Sequence, residues 1–354
     1  MPEPDVPELI GSQTSAVGCT TPRPAADPPA PPVSVSVVIC AYTEARWSDL
    51  CAAVGSVLTQ RPAALELLLV IDHCAPLLER ACATFTGVKV LANSDRQGLS
   101  GARNVGLRAA SGDVVAFLDD DARAEPGWLA ALVGGYRDDA VQGVGGTVTP
   151  HWVTGRPRWF PAEFDWVVGC SHSGMPSEPG PVRNFVGANM SLRRSTLLEL
   201  GGFSGELGRV GADVAGCEET ELCIRAGSIR PGASLRYLPG ARVTHTVPAD
   251  RATVRYFLRR CVGEGRSKAT VARLAGATQG LSSERSYLTA TVPAGVLAGL
   301  RGPLHGQFDG PLRALAITVG VLATVYGFAR ARLAQLAGAA QLAGARRGGR
   351  GGRS

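Results

Sequence analysis

The chain has 354 residues, 45% of them hydrophobic and 19% charged, with 36 Lys+Arg against 30 Asp+Glu for a formal net charge of +6. That much apolar material excludes a wholly disordered chain and suits one large domain or two smaller ones. The 45 glycines and 24 prolines follow no three-residue period, which excludes a collagen-like fibre, and nine scattered cysteines without a Cys-x-x-Cys pair exclude zinc-ribbon and thioredoxin sites and suit a reducing cytosol.

Residues 1–32 combine acids with many prolines and lack the apolar stretch of a secretory signal, so they read as a disordered lead. Order is expected to begin at Val33. The β-branched run over 33–39 reads as a buried strand, 49–60 as a helix and 65–71 as a second strand. A third strand covers 88–92, a helix 97–110, and a fourth strand 114–118, which runs into Asp119-Asp120-Asp121. Residues 126–136 read as a helix with Pro126 in its first turn. Strands alternating with helices predict an α/β fold with a mostly parallel, Rossmann-like sheet covered on both faces.

Between 143 and 183 the pattern loosens into aromatics among Gly and Pro, read as a loop or a binding-site wall. Short helices are expected over 195–200 and 218–226, short strands over 235–238 and 241–246, and a basic helix over 253–274. Two uncharged apolar runs follow, 286–300 and 314–329, each shorter than the roughly 20 residues of a perpendicular membrane span, and Pro293 interrupts the first. They are core helices, interfacial helices or short spans. The expected organisation is a lead over 1–32, a first half over 33–142 and a second half over 143–275. Apolar helices over 286–329 and a flexible basic tail over 330–354 complete it.

The acidic run is the sharpest chemical feature. Three adjacent carboxylates at a strand end repel one another and are costly to keep ionised. A divalent cation removes that cost; Mg2+ or Mn2+ takes oxygen ligands and keeps places for water and substrate phosphates. Open α/β sheets also bind ligands beyond the carboxyl ends of their strands. A solvated acidic turn competes with this account, and the strand immediately before the run weighs against it. Asp119 and Asp121 form an Asp-x-Asp pair, one for the metal and the other for the metal or a ribose.

Three further features are weaker. Glu218, Glu219 and Glu221 open a helix, where the dipole favours acids, so they either complement that dipole or include a general base facing the crevice. The small residues of Gly98-Leu-Ser-Gly-Ala-Arg103-Asn104-Val-Gly106 let a helix approach the sheet closely, with Arg103 serving an anion or a salt bridge. His245, a lone histidine near a strand end, gains interest if a metal lies nearby.

In this order the features resemble a family 2 glycosyltransferase with the GT-A fold, over residues 35–268, which implies that 33–142 is a nucleotide-sugar-binding half and 143–275 an acceptor-binding and catalytic half. The stretch from Val35 through Tyr42 to Glu44 resembles the family's first nucleotide-binding strand and turn, and Leu69-Val-Ile-Asp72 the second, whose Asp contacts the base. Gly98 to Gly106 followed by Phe117-Leu-Asp-Asp-Asp121 resembles its most recognisable run. Residues 186–194 and Gly201-Gly-Phe203 resemble the acceptor side, and Cys217-Glu218-Glu219 the Glu-Asp motif. The resemblance implies that Glu219 is the catalytic base, with Glu218 its rival. It also implies that Asp119, Asp121 and His245 lie at the metal, and that Tyr42, Glu44, Asp72, Arg103 and Asp119 hold the nucleotide sugar. It implies inverting, metal-dependent transfer from a nucleotide-diphosphate sugar, such as a UDP-sugar, to a hydroxyl of a glycan or lipid-linked acceptor in cell-envelope or exopolysaccharide synthesis.

Departures from the family pattern are His73 where a second Asp is usual, Glu219 in place of Asp, and no Gln-x-x-Arg-Trp signature of processive synthases. A Rossmann oxidoreductase needs a glycine fingerprint after the first strand, and residues 40–46 contain no glycine. A non-catalytic sugar- or membrane-binding scaffold on a degenerate GT-A fold is the remaining alternative. From Arg330 onward there are six arginines and no acid, so the preceding 329 residues hold 30 charges of each sign. The excess charge therefore points to an anionic membrane surface beside the apolar runs, not to a nucleic acid, and to a peripheral or C-terminally anchored place on the cytoplasmic face.

Overall fold

The computed structural model describes residues 33–209, 216–276 and 282–348. The lead over 1–32 and the end of the basic tail lie outside them. The first strand, β1 (Val35–Ala41), is flanked in parallel by β2 (Glu66–Ile71) and β4 (Val114–Asp119), and β3 (Lys89–Ala92) extends the sheet beyond β2. Their β-branched and leucine runs suit a strand buried on both faces. The register pairs Cys40 with both Val70 and Asp119, so the three strands end level and Tyr42, Asp72 and Asp119 emerge at one edge.

Alternate residues of β1 face opposite cores, as a period of two requires. Val37, Ile39 and Ala41 meet Leu50, Val54 and Val57 of α1 (Trp47–Leu58). Val38 faces the side of α3 (Leu99–Ala109), where Ala102 and Val105 belong to the same core. Burying a side chain the size of Ile39 stabilises by roughly 1.5–3 kcal/mol.

The second half continues the same sheet. Its order is β3-β2-β1-β4-β8-β6-β9-β5, where β5 is Ala122–Ala124, with β7 (Gly180–Pro181) on β9. β8 (Asn189–Arg193) inserts antiparallel between β4 and β6 (Val141–Trp152), and β9 (Ser234–Val247) runs parallel to β6. The expected boundary at 142/143 therefore falls inside a strand. The first quarter of the expected loop over 143–183 is that strand. Its glycines give it little strand propensity, yet packing requires them: a Cβ on Gly146 would sit 1.9 Å from the Ala241 carbonyl oxygen, and one on Gly145 2.4 Å from the Phe185 ring. The two short strands expected over 235–246 are the single bulged strand β9.

Helices α6 (Glu218–Gly227) and α7 (Val254–Leu274) follow expectation closely. The remaining helices are α2 (Ala75–Thr84), α4 (Trp128–Gly134), α5 (Arg194–Glu199), α8 (Ser282–Ser286), α9 (Val292–Arg301) and α10 (Gly310–Gly348). Pro293 does not interrupt its run. It lies in the first turn of α9, directly after a π-turn over Tyr287–Thr291. The second apolar run does not stop at 329: α10 continues through arginines expected to lie in a flexible tail. A third core joins these helices to the aromatic segment through Phe160, Phe164, Phe257 and Ile317.

Candidate active site

The sheet register builds the acidic centre. Asp119 ends β4, and β5 (Ala122–Ala124) pairs antiparallel with β9 so that Ala122 stands opposite His245. The Thr246 N–H donates to the Asp121 carbonyl at 2.8 Å, and His245 Nε2 lies 3.0 Å from Asp121 Oδ1. Arg46 Nη1 is 2.9 Å from Asp120 Oδ1 and 3.1 Å from Asp121 Oδ2, and Arg251 Nη2 is 3.4 Å from that same Oδ2. Burial pushes the Asp120 carboxyl up to about 7, assisted by the charge of Asp121. Burial acts on Asp121 in the same direction, but His245, Arg251 and Arg46 overcome it and hold that carboxyl well below the usual range.

Ligand atoms of Asp119, Asp121 and His245 all lie within 4.8 Å of one another. Two carboxylates and an imidazole suit a hard or borderline divalent cation that keeps open positions. The buried Asp120 Oδ2 has no hydrogen-bond partner among the described residues. The residues present therefore fit Mg2+ or Mn2+.

Arg103 joins this centre to α6. Its guanidinium is buried; Nη1 donates to Glu218 Oε1 at 2.9 Å, and Nη2 donates to Asp119 Oδ1 and to the Gly187 carbonyl, both at 3.1 Å. Those donors are committed to protein partners, so Arg103 holds the site's walls together. Glu219 differs from its neighbour Glu218. It is half-buried, faces a cavity of about 690 Å³, and accepts a long 3.3 Å hydrogen bond from the Thr220 hydroxyl. Burial, and then the charge of Glu218, push its carboxyl up to about 8. Cys217, which starts α6, has φ +69, a left-handed conformation strained for a side-chain-bearing residue, and its Sγ donates to Glu264 at 3.3 Å.

A second cavity of about 200 Å³ is lined by Tyr42, Arg46, Asp72 and all three aspartates, and it meets the larger one at Leu99, Asp119, Arg209 and Arg260. Asp72 lines it while accepting from the Gly98 N–H at 3.0 Å and Asn93 Nδ2 at 2.6 Å, so it also fixes the turn into α3. Tyr42 carries the Arg46 guanidinium over its ring at 5.3 Å. Glu44 stands apart from both cavity walls, on the surface 3.8 Å from Arg80.

Several participants carried no signal in the sequence. Arg46, Arg209 and Arg251 line the small cavity from three separate elements or loops, and isolated arginines have no spacing to recognise. The same holds for a chain of half-buried charges on the large cavity, in which Lys268 lies 3.1 Å from Glu264 and 2.6 Å from Glu284, itself paired with Arg183 at 2.6 Å.

The family description Glycosyl transferase family 2 matches residues 36–201. The glucosyl-dolichyl phosphate glucuronosyltransferase of Haloferax volcanii is 38% identical over 241 residues, covering 67% of this chain and 76% of that protein. The chain belongs to glycosyltransferase family 2. Succinoglycan biosynthesis protein ExoM of Rhizobium meliloti is a more distant relative of this glycosyltransferase, 25% identical over 303 residues that cover 76% of this chain and 93% of that one. The GT-A fold is shared with the mannosyltransferase PcManGT from Pyrobaculum calidifontis, solved with GDP-Man and Mn2+, at a TM-score of 0.52 and 18% identity over 87% of this chain and 91% of that one.

Proposed function

We propose that this glycosyltransferase moves a sugar, with inversion, from a nucleotide diphosphate in the small cavity to a hydroxyl of a glycan or lipid-linked acceptor in the large one. The carrying observation is that Glu219 is a carboxylate of raised proton affinity on the larger cavity, with no ion-pair partner among the described residues, while Asp119 stands where the two cavities meet. Glu219 takes the proton of the acceptor hydroxyl as its oxygen bonds to the anomeric carbon. The bond from that carbon to the diphosphate breaks on the opposite face, and its electron pair leaves with the phosphate. Mg2+ or Mn2+ held by Asp119, Asp121 and His245 would supply positive charge beside the leaving diphosphate. Glu218 is bound to Arg103 and is assigned a structural part. Tyr42 and Asp72 bind the nucleoside, and Glu44 is given no contact.

The first half, through residue 142, serves the donor and the second half the acceptor. The names of the two relatives favour cell-envelope or exopolysaccharide glycans. Activity is assigned to the cytoplasmic face of an anionic membrane. UDP-glucuronic acid with a glucosyl polyprenyl phosphate is the first pair to test. Purified protein is expected to hydrolyse or transfer one nucleotide sugar in a Mn2+-dependent manner, and a folded Glu219→Gln variant that retains near-normal transfer would refute the assignment of the base.

A further inference from the structure

The C-terminal helix α10 has two unlike faces. One packs backbone to backbone on α7: a Cβ on Gly265 would lie 2.0 Å from the Thr324 carbonyl oxygen, and one on Gly327 2.1 Å from that of Val262. The other repeats at intervals of three and four residues, with Leu312, Leu315, Val319, Leu322, Tyr326 and Leu333 between 37 and 68% exposed. Leu300, near the end of α9, is similarly exposed, and Leu304 and Phe308 beyond it are more exposed still. A continuous apolar stripe of this kind marks an interaction surface.

Its length and mean hydropathy of 1.7 would let Gly310–Ala337 cross a bilayer. The pairing with α7 opposes that. Arg259, Arg266 and Arg273 lie exposed on α7, and a spanning α10 would draw its partner into the hydrocarbon at about 2.5–3.5 kcal/mol for each arginine near the centre. Lying flat, α10 keeps its partner in water and buries only its outer stripe. No acid occurs from Gly310 to the end of the chain, while Arg313, Arg330 and Arg332 lie on the helix, which suits anionic headgroups. The stripe is also continuous with the site: Leu288 and Val325 are both exposed and both line the 690 Å³ cavity that holds Glu219.

Resting on the glycosyltransferase reading above, we propose that α9 and α10 lie in the plane of an anionic bilayer interface without crossing it. The lipid carrier of the acceptor enters the large cavity from that interface past Leu288 and Val325.

The test floats the full chain with vesicles of phosphatidylcholine, with or without phosphatidylglycerol, beside Leu315→Glu/Leu322→Glu, whose side chains are outside the cavity wall. Binding is expected to require phosphatidylglycerol, to fall at least about tenfold in the double variant, and to be reversed by alkaline carbonate. Vesicle-free donor hydrolysis and the melting temperature of the double variant should match wild type. Retention through carbonate would establish a span. Unchanged vesicle binding, with or without loss of a dimer in the double variant, would assign the stripe elsewhere. Either result overturns the dock. Val325→Trp, which narrows the mouth, should raise KM for vesicle-borne glucosyl polyprenyl phosphate about tenfold; an unchanged KM, or no transfer to that lipid by wild type, overturns the entry route. Absence of any donor hydrolysis by wild type would instead sink the glycosyltransferase reading while leaving the docking result in place.

Discussion

Arg103 Nη1 lies 2.9 Å from Glu218 Oε1, with both side chains almost fully out of solvent, and the other terminal nitrogen of the same guanidinium reaches Asp119. One planar group thus sets the spacing between the acidic centre and the helix that presents Glu219. Lysine offers a single point charge and cannot span both partners. Arg103→Lys is expected to fold and to lose about 100-fold in kcat with a smaller change in donor KM, since a misplacement near 1 Å costs about that much. Arg103→Met should cost about 3–5 kcal/mol by stranding Glu218, and the added change Glu218→Gln should restore much of the melting temperature but not kcat. Equal loss of kcat and stability in all three variants would reduce Arg103 to a packing element.

The two neighbouring glutamates should separate cleanly. Glu219→Gln is expected to lower transfer about 10²–10⁴-fold with the fold intact. Glu218→Gln should act mainly on stability, because its partner Arg103 is buried. Steady-state kinetics beside thermal melts distinguishes them; a larger kinetic loss in the Glu218 variant would exchange their roles.

The raised proton affinity of Glu219 predicts two pH effects of opposite sign. A base must be ionised, so transfer should rise through about pH 8 and level off above it. Stability moves the other way. A carboxyl whose folded pKa is raised contributes fully below its unfolded value of 4.5, and that contribution is lost as pH rises toward about 8. Glu219→Gln should therefore melt higher than wild type at pH 9 and match it at pH 4. Parallel melts at the two pH values check this, and an absent difference at pH 9 would mean that the carboxyl is not desolvated.

Metal binding should be visible without turnover. Mn2+ at about 100 times its dissociation constant stabilises a folded protein by roughly 2.7 kcal/mol, so wild type should melt higher with Mn2+ and fall back with EDTA. Asp119→Ala and His245→Ala should lose most of that shift. A shift that persists in both would place the cation elsewhere.

Close backbone approach offers a stability test away from the chemistry. The methyl of Gly146→Ala would meet the Ala241 carbonyl oxygen at 1.9 Å, and β6 and β9 must part to admit it. A loss of at least about 1–3 kcal/mol is expected, read as a lower denaturation midpoint. Gly134→Ala, with open space around its position, is the control and should change little.

Local patterning determined much of this molecule. The β-branched runs of β1, β2 and β4, the acids beginning at Asp119 and the pair at the start of α6 were legible, because a buried parallel strand and a helix N-terminus impose short-range composition. The motif order was also enough to suggest the family. Only the tertiary structure decided which groups are used. It bound Glu218 to Arg103 and left Glu219 facing a cavity, although the two are adjacent and chemically identical. It brought Arg46, Arg251 and His245 onto the same aspartate from positions up to about 200 residues apart in the chain. It also made a strand of the glycine-rich β6, because contacts with Phe185 and Ala241 outweigh local propensity. Ion pairs across a sheet edge and bare backbone contacts leave no periodic mark in sequence, so these choices appear only once the strands are in register.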